Sequence, residues 1–240
     1  MQSGIYVALS SQMALDKRLT TIADNVANAR TVGFRATGVK FEDVVSGLGD
    51  QSVSFVSTGD TYLSTRAGGV RQTGSPFDFA IKGDAWFAIE TPAGPVMTRD
   101  GRFTMLDTGD LVSLEGYPVL DAGGAPIQLD PQAGPPVAGG DGTLRQNGQL
   151  VGALGLYEFQ PGPNFTRFGN SGIVPWGAPE PAVDRIDIGV AQGFLEDSNV
   201  DPVLEITRLI QVQRAFENVS ALIRDSESAL EQAISTLGPR

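Results

Sequence analysis

Residues 24–35 read Asp24-Asn25-Val26-Ala27-Asn28-Ala29-Arg30-Thr31-Val32-Gly33-Phe34-Arg35. Two asparagines, a threonine and a glycine crowd together where an amphipathic segment stops, and an aromatic follows at once. Asn28 and Thr31 carry short polar side chains suited to the amide and carbonyl groups freed at a helix end. Gly33 can take the positive φ with which a chain leaves a helix. The stretch therefore predicts the C-terminal boundary of a helix occupying about the first 28 residues. Phe34 is expected to enter an apolar pocket, on its own subunit or on the next.

Upstream, Ile5, Ala8, Gln12, Leu15, Leu19, Ile22 and Val26 recur at alternating steps of three and four, a heptad seam with one polar member. The far end of the chain repeats the pattern. Asp201-Pro202 supplies an N-cap and a first-turn proline. Ile206, Leu209, Gln213, Phe216, Ser220, Ile223, Glu227, Leu230, Ile234 and Leu237 then alternate in the same way, and Gly238-Pro239 closes the helix. Each seam is narrow and interrupted by polar residues, which suits a coiled-coil contact in which register counts for more than strength. Ser198, Asn199 and Val200 mark the point where the chain re-enters this helical part.

Between the two ends the signals are those of strands. Of 240 residues, 30 are glycine and 15 proline, which implies many tight turns. Met97–Arg99 and Arg102–Met105 flank an Asp100-Gly101 turn, Asp107–Asp110 leads into Leu111–Leu114, and Asn147-Gly148 separates Thr143–Arg145 from Leu150-Val151. Phe77–Ile81 alternates, and Ala85–Ile89 is a buried-strand candidate. The runs 130–142 and 161–181 are expected as loops. The fold class expected is α+β: terminal helices form a coiled-coil stalk, and a β-rich central domain is inserted between them. In domain terms, 1–30 with 200–240 is the helical part, 31–75 an extended linker or β-hairpin module, and 76–199 the β-rich domain.

Charge and composition exclude several kinds of function. The net charge is −11; residues 1–80 are balanced, seven acids against seven bases, and the remainder holds 21 acids and 10 bases. No basic face for phosphates is visible, which argues against nucleic acid and anionic membranes. No run of about 18 apolar residues predicts insertion in a bilayer, and the first residues lack the features of a cleaved signal peptide. The chain has neither histidine nor cysteine, so catalytic triads built on those residues and the usual zinc ligands are excluded. Gly47-Leu48-Gly49 lacks the third glycine of a dinucleotide loop, no phosphate-binding Gly-Lys-Ser/Thr loop occurs, and Asp107–Asp110 misses calcium-loop spacing. Asn164-Phe165-Thr166 is a sequon without secretory context. Asp78, Asp84 and Glu90 could supply paired carboxylates for a hydrolase, but each fits a strand edge equally well. No cofactor is expected, and contact rather than catalysis is.

The opening stretch resembles the N-terminal signature of the bacterial flagellar basal-body rod and hook proteins, with Asn25, Ala27, Asn28, Thr31, Gly33 and Phe34 in place and Arg35 at the basic position. Further motifs follow in order: Gly74–Gly83 with Trp86-Phe87, Thr98–Phe103, Gly109–Leu120, and Gln192–Asp201 with Leu209-Ile210 and Gln213–Glu217. Asp84-Ala85 and Ser75 depart from the family pattern and put only local turns in doubt. By length and by its short middle, the chain is most similar to subunits of the proximal rod, with the distal rod as the alternative. The resemblance implies a structural protein whose terminal helices pack with those of neighbours, copies of itself and other rod subunits, into a helical polymer. It further implies export through the flagellar type III apparatus without a cleaved signal, and residence in the periplasmic rod. The contacts it implies are Leu15, Leu19, Ile22, Asn25, Val26, Asn28, Thr31, Gly33, Phe34, Ser198, Asn199, Val200, Leu209, Gln213, Arg214, Phe216, Ile223 and Leu230. Rival readings are a carboxylate hydrolase and a β-rich binding module with oligomerising ends.

Overall fold

The computed structural model describes residues 2–46, 53–183 and 185–237. Helix α1 spans Gln2–Ala27 and helix α2 spans Pro202–Leu237, with nineteen short strands between them among the described residues. The class is α+β. Two compact units divide the chain: Met1–Ala27, Thr37–Tyr62 and Asp201–Arg240 form one, and Asn28–Ala36 with Leu63–Val200 the other.

In the first unit α1 packs against both α2 and strand Val53–Val56. The helices run antiparallel, because Gln12 donates to Ser220 at 3.2 Å while Asn25 donates to Glu205 at 3.4 Å. The α2 stripe that loses solvent is Glu205, Leu209, Val212, Phe216, Val219 and Ile223. The expected seam placed Ile206 and Gln213 there, but Ile206 is 45% exposed and Gln213 faces solvent. The displacement has a physical reason: a buried carboxylate, Glu205, occupies the first seam position, so the stripe begins one residue earlier than apolar periodicity suggests. Asp201 caps α2, its Oδ1 accepting the Val203 and Leu204 amides at 3.0 and 3.1 Å. In the same unit, strands Asp43–Ser46 and Val53–Val56 pair antiparallel, and Lys17 Nζ donates to the Gly59 carbonyl at 2.5 Å. Gly47-Leu48-Gly49 and Gly238-Pro239 lie outside the described residues.

The second unit is all β. Its largest sheet orders Thr166–Phe168, Gly172–Val174, Gly94–Thr98 and Phe87–Thr91. Phe79–Lys82 pairs with Gly189–Gln192, and Val70–Gln72 with Phe194–Glu196. The core gathers Phe79, Phe87, Phe103, Leu111, Val119, Leu144 and Val190, with Phe87 and Phe103 edge-to-face at 5.2 Å. A smaller cluster holds Leu63, Trp86, Met97, Tyr157 and Ile173.

Two turns behave as expected and one does not. Asn147 and Gly148 both have positive φ, 51° and 77°, as a two-residue hairpin between Thr143–Gln146 and Gln149–Ala153 requires. Phe103–Met105 pairs with Leu111–Ser113 across the Asp107–Asp110 turn. Asp100-Gly101, by contrast, is a corner. The strand before it pairs with Phe87–Thr91, and Asp100 turns its carboxylate onto Arg102, at 2.9 Å to Nε and 2.5 Å to Nη2. A Cβ on Gly101 would meet the Phe79 carbonyl at 1.8 Å, so the glycine serves close approach. The stretches expected as loops also hold paired strands: Val137–Ala138 in the first, and Thr166–Phe168, Gly172–Val174 and Glu180–Pro181 in the second. Val137–Ala138 pairs with the nearby Leu144-Arg145 and Thr166–Phe168 with Gly172–Val174, while Ile173 also pairs with Met97 and Glu180–Pro181 with Tyr157-Glu158. Such pairing depends on context that local composition does not register.

Candidate functional site

The segment leaving α1 folds into a stacked turn. Thr31 N–H donates to the Asn28 carbonyl at 3.1 Å, Thr31 Oγ1 to Asn28 Oδ1 at 3.0 Å, and Phe34 N–H to the Thr31 carbonyl at 3.2 Å. Gly33 has φ 69°, and a Cβ there would meet Asp100 N at 2.3 Å. Conformation and space both demand glycine. Its N–H donates to the Glu196 carbonyl at 2.8 Å.

Phe34 is 1% exposed. Of the two hosts open to it, the structure shows its own chain: the Arg167 guanidinium lies 4.3 Å from the ring centroid and donates to the Arg35 carbonyl at 2.6 Å. Burying such a side chain is worth about 1.5–3 kcal/mol, and the stacked cation adds to it.

Arg35 is buried too, which its place as a motif's basic residue did not suggest. Its Nη2 meets Glu196 Oε1 at 2.7 Å, and its Nη1 donates to the Thr65 carbonyl at 2.8 Å. The other oxygen of Glu196 accepts from Arg99 Nη1 at 3.1 Å, and the Gly68 N–H donates to Oε1 at 2.9 Å. One carboxylate thus sits between two buried guanidiniums. Burial pulls the Arg99 pKa down to about 10, with Glu196 offsetting part of the fall. Arg35 is lowered for the same reasons in the same order. For both, the carboxylate between them offsets part of what solvent no longer provides. Arg99 also lies 5.4 Å from the Trp86 ring centroid and 3.7 Å from the exposed Asp84 carboxylate.

Asn199 holds this turn against its own unit. Its Oδ1 accepts the Ala36 N–H at 2.7 Å, its Nδ2 donates to the Arg66 carbonyl at 2.7 Å and to Ser64 Oγ at 3.2 Å, and its N–H donates to the Phe34 carbonyl at 3.2 Å. Ser198 Oγ accepts the Val200 N–H at 3.3 Å. In the helical unit Asn25 plays a similar part: its amide exchanges two 2.9 Å hydrogen bonds with the Thr37 backbone, imitating a strand neighbour.

Asn25, Ile22, Gly33, Phe34, Asn199 and Val200 are therefore buried, and Leu15, Leu19, Val26, Asn28, Thr31, Ser198, Leu209, Phe216 and Ile223 half-buried. Gln213 and Arg214 are exposed, and Leu230 lies on α2 with its side chain outside the described residues. Sequence reasoning missed Glu196, Arg99, Arg66 and Arg167 as parts of the junction. The one available signal was a charged residue in a strand pattern, Glu196 after Phe194-Leu195. Among the described residues, no group of three or more His, Cys, Asp or Glu is placed to hold a metal, and no helix is long and apolar enough to cross a membrane.

What this geometry defines is a scaffold: a turn held by hydrogen bonds and buried charge, with no reactive constellation among the described residues. Three family models match it in order: "Flagella basal body rod protein" over residues 5–35, "Flagellar hook protein FlgE/F/G D1 domain" over 80–150, and "Flagellar basal body rod FlgEFG protein C-terminal" over 191–236. The chain is 70% identical to the flagellar basal-body rod protein FlgF of Mesorhizobium japonicum over 240 residues, the full length of both. It is 59% identical to that of Rhizobium meliloti over 99% of each chain, and 32% identical to the flagellar basal-body rod protein FlgG of Bacillus subtilis over 98% of this chain and 99% of that one. The chain belongs to the flagellar basal-body rod protein family. Its relatives are named as rod and hook proteins, in keeping with the reading of contact over catalysis.

Proposed function

We propose that this chain is a structural subunit of the proximal rod of the flagellar basal body, a piece of the helical driveshaft that carries torque for motility. The FlgF relatives, matched end to end, support the assignment. The terminal segments, 1–30 and 200–240, act as the assembly domain, 31–75 as connector and 76–199 as the β-rich body. α1 and α2 pair as a coiled-coil stalk whose outer faces are completed by neighbouring subunits, including copies of the same chain. The polymer is open-ended because the contacting surfaces differ. The subunit reaches the periplasmic rod through the type III export apparatus.

One observation carries this reading. After α1 and α2 have packed, Tyr6, Met13, Val203 and Leu222 remain 61%, 59%, 74% and 62% exposed. A cavity of about 440 Å³ lined by Leu9, Met13 and Phe216 stays open between the helices and Thr58. An isolated protein gains nothing by leaving such surface wet. Sedimentation and negative-stain imaging of the full chain, alone and with other rod subunits, test it against a variant lacking residues 1–30. Assembly should vanish with the deletion, and equal assembly by the truncated chain would refute the mechanism.

A further inference from the structure

The body carries a groove that neither the fold nor the junction uses. It has a volume of about 340 Å³. Phe159, Phe165, Val174 and Trp176 line it together with Glu158 and Glu180. Trp176 is 69% exposed, although a bulky aromatic normally covers its ring. Glu158 and Glu180 are direct cross-strand partners, an arrangement in which like charges repel. Arg185 relieves Glu158 at 2.5 Å but is itself shared with Asp187. Glu180 has no ion-pair partner among the described residues, and no basic side chain lines the groove among them. An open indole face beside an uncompensated carboxylate is an incomplete receptor for a guanidinium: the ring takes its face and the carboxylate its N–H groups.

The same chain carries the complementary feature. Arg18, Arg214 and Arg224 are exposed on α1 and α2, with no ion pair among the described residues. A cavity on one part of a molecule and a matching knob on another, when they cannot meet in one copy's closed pair, generate open-ended association.

We propose that the Trp176–Glu180 groove receives an arginine from the helices of a second copy of this chain, and so forms a lateral contact within the assembly. The proposal rests on the self-assembling reading and names a contact surface for it. The occupant is basic, as the acid excess after residue 80 favours.

Self-association of the full-length protein, measured by sedimentation at low salt, tests it with three kinds of variant. Glu180→Arg and Trp176→Ala should each weaken association about tenfold, with melting unchanged because both side chains face solvent. Adding Arg214→Glu or Arg224→Glu to Glu180→Arg should restore it, since every copy then carries the swapped pair. Trp86 is 4% exposed, so acrylamide quenching of wild-type fluorescence reports chiefly Trp176 and should fall on association. Wild-type association that both single variants retain in full would overturn the groove while leaving self-assembly intact. So would failure of rescue by Arg18→Glu, Arg214→Glu and Arg224→Glu alike. A wild-type chain that never associates would instead sink the self-assembling reading itself. A titration with a short arginine peptide, and in parallel with a chito-oligosaccharide, separates the ligand classes: quenching relief by the sugar alone would also overturn the proposal.

Discussion

Glu196 and Arg35 meet at 2.7 Å with each side chain 3% exposed, across 160 residues of intervening chain. The pair joins, within the β-rich unit, its strand Phe194–Glu196 to the turn at residues 28–36. Removing that carboxylate leaves Arg35 and Arg99 facing each other with their charges undiminished. Glu196→Gln keeps the shape and deletes the charge. It should lower the stability of the β-rich unit by about 3–5 kcal/mol, the usual cost of orphaning a buried ionic partner. Urea unfolding followed by tryptophan fluorescence is the measurement, because Trp86 and Trp176 both lie in that unit. A change under about 1 kcal/mol would mean the arginines find other partners or water.

Gly33 and Gly148 separate two reasons for glycine. Both have positive φ, 69° and 77°, but a Cβ on Gly33 runs into Asp100 N at 2.3 Å while one on Gly148 has nothing within 4 Å. Gly148→Ala should cost only the conformational strain, about 1 kcal/mol. Gly33→Ala adds a clash with main chain that cannot rotate away, and should cost about 3 kcal/mol or more. Paired melts of the two variants read the difference directly.

These same residues show how far the sequence could be read. Helix limits were legible because caps are local: Asp201 bonds the amides two and three residues ahead, and Asn28 and Thr31 bond each other. Asn147-Gly148 was legible because a tight hairpin needs two positive φ values, and those residue types tolerate them. Asp100-Gly101 carries the same signal and makes a corner, since its glycine answers to Phe79 and its aspartate to Arg102. The hairpin Phe87–Thr91 to Gly94–Thr98 went unrecognised behind Pro92 and Pro95. The Arg35–Glu196–Arg99 cluster was illegible for a deeper reason: no window of sequence contains all three, and charged residues read as surface until their partners are known.

Asp187 is held by Arg185 through two contacts, at 2.9 and 2.7 Å, and these hydrogen bonds drive its pKa down to about 2. A carboxylate depressed in the folded state stabilises the fold above its ordinary, unfolded value, and that contribution fades as pH falls towards the folded value. The window here is therefore from about pH 4 down to about pH 2. Carboxyl-carbon NMR should place the Asp187 midpoint near 2, and Arg185→Gln should move it back towards the ordinary carboxylate range. A midpoint that Arg185→Gln leaves in place would show that the pairing is not the cause.

Phe216 and Gln213 lie one turn apart on α2 with opposite surroundings, which allows pairing of the two helices to be separated from assembly. Phe216 is half-buried on the stripe facing α1, and Gln213 is exposed, with Glu217 at 3.4 Å. Phe216→Ala opens the helix–helix contact and should cost the helical unit about 1–3 kcal/mol, less than a fully buried phenylalanine. Circular dichroism at 222 nm follows that loss, since α1 and α2 are the α-helices among the described residues, while tryptophan fluorescence follows the β-rich unit. The fluorescence melt should stay where it is, and incorporation into the rod should be lost. Gln213→Ala should leave both melts within about 0.5 kcal/mol of wild type and still reduce incorporation, because apart from the exposed Glu217 its side chain is free to meet a neighbouring subunit. Normal incorporation of Gln213→Ala would remove this residue from the assembly surface. A fluorescence melt that falls with Phe216→Ala would show that the two units unfold as one.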